Sequence, residues 1–314
     1  MIPGTQGKGR DGVLRTDGLL LATAFIWGVS FVAQRSGMAV IGPFAFSAAR
    51  FALGTLALLP LLAFSKRRNA RRGPARTGAE PQSAARRVAW AFLAGLVVFT
   101  AANLQQIGLV HTTAGNAGFI TCLYVILVPV MGMCLGRALG PRIWVSAALA
   151  LAGLWILSVG AGFSLAPGDG LELLGAFFWA GHILLINHLV QRMDALEIAT
   201  GQFATCAILS LAGALIREPA PFAGLTAAAI PIMYGGFLSI GVAYTLQIVA
   251  QKTAHPAHAS IILSMEALFA GVGGVLLLHE PFTWRLGAGG TLMLAGMILS
   301  QLPPKAARPL SSVA

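Results

Sequence analysis

The stretch GLLLATAFIWGVSFVAQRS, residues Gly18–Ser36, decides the fold. A helix needs roughly 20 apolar residues, at about 1.5 Å rise each, to cross a hydrocarbon core of about 30 Å. This stretch meets that length with a single charge, Arg35, next to its end. Its polar residues are not scattered. Thr23, Trp27, Ser30 and Gln34 recur at the i, i+4, i+7, i+11 spacing that marks one face of a helix. A second stretch, LELLGAFFWAGHILLINHLV (Leu171–Val190), puts Gly175, Trp179, His182 and Ile186 on the corresponding face. Two matched faces of this kind either line opposite walls of one cavity or pack helix on helix through small and hydroxyl residues.

Working outward, ten segments are long and apolar enough to span. In the first half they are Gly18–Ser36, Pro43–Phe64, Val88–Val110, Ala114–Leu135 and Ile143–Ala161. In the second half they are Leu171–Val190, Ile198–Ile216, Ala227–Ala250, His258–Leu278 and Phe282–Leu302. The chain is 57% hydrophobic and 10% charged, with a mean hydropathy of +0.79. A water-facing surface normally needs about 25% charge, so lipid is the solvent for most of this chain. Backbone in lipid must satisfy its own polar groups, so the expected fold class is all-α integral membrane. The alternating ten-residue strands of an outer-membrane barrel do not occur.

The net charge is +11, from 21 Lys+Arg against 10 Asp+Glu. No basic patch interleaved with aromatics appears, which excludes nucleic acid as a partner. The basic residues instead set orientation. One long polar connection, Ser65–Arg87, carries eight of them and reads as a mobile loop. With the N-terminus inside, seventeen Lys and Arg residues fall on the cytoplasmic side, and only Arg35, Arg217 and Arg285 fall outside. Both termini are therefore expected in the cytoplasm of a bacterial-type inner membrane, with residues 1–17 and 303–314 as tails. The first apolar run lacks a small-x-small cleavage site and reads as a retained helix. Cys122, Cys134 and Cys206 lie singly in apolar runs, the pattern of small buried residues and not of a disulfide or zinc framework.

The halves resemble each other. Phe25, Trp27 and Phe51 match Phe177, Trp179 and Phe203 at an offset of 152. Gln106 and Thr112 match Gln247 and Thr253 at 141, and Leu151-Ala152-Gly153 matches Leu294-Ala295-Gly296 at 143. The collinear order of the matches indicates duplication, with repeats at 18–161 and 171–302. Five spans per repeat is an odd number, so the second copy enters the membrane from the opposite side. Two such inverted-topology five-helix repeats commonly hold a substrate near the midplane and expose it alternately to either face.

The strongest single residues are Arg50 and Glu266, both placed within spans. A charge at the bilayer centre costs about 2.5–3.5 kcal/mol on insertion scales, so such residues face a cavity, find a partner, or both. Their depths differ by only about 8 Å on helical rise, and whether they pair is open. Structural readings stand beside these: Arg50 snorkelling outward, Glu266 in a packing hydrogen bond. Gln106 with Asn103, Tyr124, and Tyr244 with Gln247 and Gln251 supply further polar groups for a small ligand. Asp169 and Glu172 read as helix-start residues that complement the helix dipole. The proline of His279-Glu280-Pro281 reads as a helix breaker.

Several motifs carry a family resemblance. Phe25-Ile26-Trp27-Gly28, Ala48-Ala49-Arg50-Phe51, Ala114-Gly115-Asn116-Ala117-Gly118-Phe119 and Leu127-Val128-Pro129 resemble the EamA repeat. Leu263-Ser264-Met265-Glu266 with Leu278-His279-Glu280-Pro281 is similar to its ninth-span signature. Ala267 departs from the proline common after the glutamate, and Gly136-Arg137 from a frequent Gly-Glu. The resemblance implies the drug/metabolite transporter superfamily and an exporter of amino acids or related small metabolites. The polar faces and the two in-span charges, taken together, give the expected substrate-site residues: Trp27, Ser30, Arg50, Gln106, Tyr124, Trp179, His182, Tyr244, Gln247 and Glu266. Glu266 is the natural proton carrier if transport is coupled to protons. A lipid or glycolipid flippase of the same superfamily is an alternative. A membrane-embedded enzyme is another, but HExxH, GxSxG, paired aspartates, Cys/His clusters and a P-loop are all missing. No cofactor or metal is expected.

Overall fold

A computed structural model describes residues 10–72, 83–158, 166–277 and 282–302. Helix accounts for 83% of it, with no strand among the described residues. Residues 1–9, 73–82, 159–165, 278–281 and 303–314 lie outside the description. They include most of both tails, the middle of the basic connection and His279-Glu280-Pro281.

The elements are α1 (Arg10–Met38), α2 (Pro43–Arg72), α3 (Ala84–Val110), α4 (Ala114–Cys122), α5 (Tyr124–Cys134) and α6 (Pro141–Ser158). After them come α7 (Asp169–Leu189), α8 (Ala195–Arg217) and α9 (Ala229–Met233). A π-helical stretch, Tyr234–Tyr244, leads into α10 (Thr245–Gln251), α11 (Pro256–Leu263), α12 (Glu266–Leu277) and α13 (Trp284–Gln301). Nine helical segments among the described residues are long and apolar enough to cross a membrane. The tenth expected span corresponds to α13. Its 18 residues begin Trp-Arg and end Ser-Gln, and these polar ends dilute its apolar centre.

Several boundaries differ from the sequence reading. The first helix starts at Arg10, inside the expected tail. The Ser65–Arg87 connection is not a loop throughout: α2 runs on to Arg72 and α3 begins at Ala84. Lys66, Arg67 and Arg68 continue good helical sequence, and all three are exposed, as long basic side chains at the end of a span are. Two expected spans are broken. The fourth is interrupted at Leu123 between α4 and α5, and the ninth at Ser264-Met265 between α11 and α12. Leu123 and Ser264 are 141 residues apart, the offset already seen between Gln106 and Gln247. The eighth is wound as a π-helix over the glycine-containing run Tyr234–Tyr244, a form common at functional sites.

The packing pairs helices across the halves. Helix α2 lies on α8 and α6 on α13, while α1 meets the π-stretch and α12, and α7 meets α3, α4 and α5. The α6–α13 contact brings backbones together: a Cβ on Gly153 would lie 2.4 Å from the Gly289 carbonyl oxygen. Small residues of this kind permit close helix approach in lipid.

Polar ties close both ends of the bundle. At one end Glu218, just past α8, accepts from the backbone N–H groups of Phe44 (2.8 Å) and Ala45 (3.2 Å). This satisfies orphan donors at the start of α2 with a charge that the helix dipole favours. At the other end His258 Nε2 lies 2.8 Å from Asp17 Oδ1, and its Nδ1 lies 2.8 Å from Ser300 Oγ. One ring thus joins α1, α11 and α13. Neighbouring His255 caps α11 through Nδ1. Burial, with the charges of Arg137 and His258 adding to it, lowers its pKa and favours the neutral ring that capping requires. Cys122 and Cys206 are buried as expected, but Cys134 is exposed.

Candidate functional site

Helix α1 places Trp27, Ser30, Phe31 and Gln34 on one face, and that face looks onto a cavity between the halves. Arg50 enters from α2, Gln105 from α3, Thr121 from α4 and Tyr124 from α5. Trp179, His182 and Ile183 enter from α7, Ser239 and Tyr244 from the π-stretch, Gln247 from α10 and Glu266 from α12. The space is narrow. Its volume is about 50 Å³, room for a few waters.

Local backbone features build the walls. A Cβ on Gly28 would lie 2.6 Å from the Glu266 carbonyl oxygen and 2.8 Å from the Ala270 nitrogen. Only a glycine lets α1 lie this close to the break that carries Glu266. The carbonyls of the π-stretch accept from α1: Trp27 Nε1 donates to Ser239 O at 3.3 Å, and Thr23 Oγ1 to Ala243 O at 3.1 Å.

Three aromatic rings form one side. Tyr244 stands edge-on to Trp27, with ring centroids 4.5 Å apart, and lies 6.0 Å from Trp179. His182 is 6.1 Å from both Trp179 and Tyr244, and its Nε2 is 3.0 Å from Gln202 Oε1.

The two buried charges occupy separate positions. Arg50 is 3% exposed, so it does not snorkel. Its guanidinium lies over Phe46 and Phe51, at 5.4 and 5.1 Å. Its Nη1 donates to Gln34 Oε1 at 2.9 Å, and its Nε has no hydrogen-bond partner. Glu266 is also 3% exposed. Its Oε1 accepts from Tyr124 Oη at 2.9 Å and from the Cys122 thiol at 3.4 Å. The breaks of α4–α5 and α11–α12 therefore meet at this carboxylate. No salt bridge joins Arg50 and Glu266, nor either to another charge among the described residues. Each is held by neutral dipoles and faces the same cavity.

Of the ten residues expected at a substrate site, nine line this cavity. Gln106 does not. It is fully buried behind Gln34, to which its Nε2 donates at 2.5 Å. Its neighbour Gln105 is the residue that lines the space, because one helical step of 100° separates two adjacent glutamines that sequence could not rank. Asn103 is turned to α8, donating to Ser210 Oγ at 2.9 Å. Gln251 donates to the Ile183 carbonyl at 2.9 Å as a packing residue. Phe31, Thr121, Ile183 and Ser239 were not anticipated. Thr121 precedes Tyr124 by one helical step of three, a signal present in the sequence. Ser239 faces the cavity through the π-winding, which has no reliable sequence mark.

Asp169 and Glu172 are more than helix-start residues. They are 5% and 0% exposed. Asp169 accepts from Thr112 Oγ1 at 2.5 Å and from Ala166 N at 2.9 Å. Glu172 Oε2 accepts from Thr121 Oγ1 at 3.3 Å, and Thr121 Oγ1 accepts from Gln105 Nε2 at 3.0 Å. A buried polar chain thus runs from the cavity wall to the start of α7.

Comparison with known proteins finds the EamA-like transporter family matched twice, over residues 14–159 and 166–302. A protein of Archaeoglobus fulgidus named as an uncharacterized transporter is 30% identical over 95% of this chain and 90% of its own length. A second from the same organism, named likewise, is 27% identical over 91% of this chain and 97% of its own length. A crystal structure at 18% identity superposes with a TM-score of 0.72, covering 91% of this chain and 96% of that one. At that identity it supports the fold alone.

The Arg50 environment generates a stability prediction. Gln34 Oε1 is the acceptor for Arg50 Nη1 and Gln106 Nε2 together, so Gln34→Leu leaves two buried donors unmet. A cost of at least about 1–3 kcal/mol is expected, read as a lower melting temperature of the purified protein in detergent. Gln34→Glu, which supplies a carboxylate acceptor, should melt close to the parent. Equal melting of Gln34→Leu and parent would show that Arg50 does not depend on this contact.

Proposed function

Because the chain belongs to the EamA-like transporter family, we propose that it is a secondary transporter that exports amino acids or related small metabolites by alternating access around this cavity. One observation carries the reading. A single buried space presents an unpaired cation, an unpaired carboxylate and an aromatic wall, contributed by both halves of the chain. An amino acid brings the complementary set: a carboxylate for Arg50, an ammonium for Glu266 and an apolar body for Trp27, Trp179 and Tyr244. Two further cavity atoms, Trp179 Nε1 and Gln247 Oε1, are buried without hydrogen-bond partners and offer one donor and one acceptor.

The narrowness of the space fits an occluded state, one that must open before a metabolite enters. The helix pairing supports two inverted five-span repeats, with α13 as the tenth span. Exchanging halves turns the α1 contacts with the π-stretch and α12 into the α7 contacts with α3 and α5, and returns α2–α8 and α6–α13 to themselves. A rocking motion of one half against the other uses this symmetry to exchange an outward opening for an inward one. The basic bias supports a bacterial-type inner membrane with both termini cytoplasmic. Reporter fusions after Leu302 and within the basic connection near Arg68 should both read cytoplasmic, and a periplasmic signal from either in the full-length chain would sink this topology.

Transport in proteoliposomes tests the site. Trp27→Ala and Trp179→Ala should each lower amino acid flux at least tenfold while leaving the yield of folded protein within about twofold. Glu266→Gln keeps a hydrogen-bonding side chain but cannot release a proton, so it should abolish the response of flux to an imposed pH gradient. Normal flux in both Trp variants contradicts the cavity assignment. An unchanged pH response in Glu266→Gln restricts that residue to packing.

A further inference from the structure

We infer that the cleft between the start of α3 and the end of α7 is a binding site for the phosphate of an anionic phospholipid. The cleft measures about 520 Å³ and is lined by Arg86, Ala89, Trp90, Leu93, His188 and Arg192. It is separate from the transport cavity and shares no residue with it.

Charge bookkeeping around the cleft singles it out. At the same end of the bundle Glu197 lies 3.4 Å from Lys66 Nζ and 3.8 Å from Arg87 Nε, so those two cations have a counter-ion. Arg137 donates to Asn187 Oδ1 at 3.1 Å, outside the cleft lining. Arg86 and Arg192, both lining the cleft, have no carboxylate within 4.0 Å among the described residues. Helix α3 brings Arg86 and α7 leads to Arg192, so the two positive charges come from different spans and converge on one space. Self-repulsion of this kind is relieved by an anion placed between them.

The neutral lining fits the same ligand. Arg192 Nη1 donates to His188 Nδ1 at 3.1 Å and to the His188 carbonyl at 3.0 Å. A ring that accepts at Nδ1 keeps its proton on Nε2, which adds a third donor to the two guanidinium groups. The Trp90 ring lies beside His188, tilted to it with centroids 5.8 Å apart, and tryptophan is the residue enriched at headgroup depth. Deeper along α3, Leu93 on the face that lines the cleft is exposed and apolar, and so is Leu96 three residues further on. They offer a surface for acyl chains beyond the cationic pocket, which a free inorganic anion would not use. Basic pockets between spans at the membrane surface recognise anionic headgroups in this way.

The inference rests on the membrane embedding of the chain and not on what it carries. Its test therefore needs no substrate. Purified full-length protein is mixed with equal amounts of phosphatidylglycerol and phosphatidylcholine in detergent, and bound lipid is counted by native mass spectrometry. The parent should retain phosphatidylglycerol preferentially. The Arg86→Gln/Arg192→Gln pair should lose that preference by about fivefold for each cation removed. The Arg67→Gln/Arg68→Gln pair, with the same change in net charge at exposed positions, should keep it. Should the first pair fail to fold, Arg86→Gln alone, at an exposed position, carries the same reading with a single fivefold step. Four results overturn the inference: no preference in the parent, preference surviving in Arg86→Gln/Arg192→Gln, equal loss in Arg67→Gln/Arg68→Gln, or displacement of the lipid by an equal concentration of inorganic phosphate.

Discussion

The structure depends on one constraint: inside lipid, every polar group must find its partner within the protein. Regular helix meets it for most of the chain. Irregular backbone is then permitted only where other protein surrounds it. The breaks at Leu123 and Ser264-Met265 and the π-winding of Tyr234–Tyr244 all obey this rule. They gather around the cavity: Trp27 and Thr23 donate to carbonyls of the π-stretch, and Tyr124, just past one break, donates to the Glu266 carboxylate at the other. The same irregularities that would be costly in lipid are what give the cavity its polar wall.

Buried charge follows the same logic. Arg50 and Glu266 each carry a cost of several kcal/mol in apolar surroundings, yet they do not neutralise one another. Arg50 has Gln34 and two phenylalanine rings, and Glu266 has Tyr124 and Cys122. A direct ion pair would be self-satisfied and poor at recognising anything else. Neutral partners leave both charges able to respond to a ligand, at a cost in resting stability. The same accounting separates Arg86 and Arg192 from the counter-ion-bearing Lys66 and Arg87 on the surface.

Much of this was legible in the sequence because periodicity and duplication are strong signals in an apolar chain. Trp27 and Trp179 were placed by helical spacing and by their matched positions, and both line the cavity. Arg50 and Glu266 stood out because charge is rare where lipid is the solvent. The failures have physical causes. Adjacent Gln105 and Gln106 differ by one helical step, and the periodicity of so apolar a helix does not fix its rotation to within 100°. The breaks of the fourth and ninth spans were invisible because no proline or glycine marks Leu123 or Ser264-Met265. Tertiary contact, not local propensity, sets them. Position in the helix marks Asp169 and Glu172 only as helix-start residues, whereas their burial comes from α3 and α4.

The central claim is that the cavity is the point of passage and opens in turn to each side. Ser239→Cys tests it most directly, in a chain whose Cys122, Cys134 and Cys206 are replaced by serine. Ser239 lines the cavity, is 3% exposed and sits 3.4 Å from Ser30, so it is shielded in the occluded form. Membrane-impermeant thiol reagent is applied to right-side-out and to inverted vesicles, and labelling of Ser239→Cys is measured in each. Alternating access predicts labelling from both sides. Protection from both sides in folded protein would contradict it, and would make the cavity a packing space that no substrate enters.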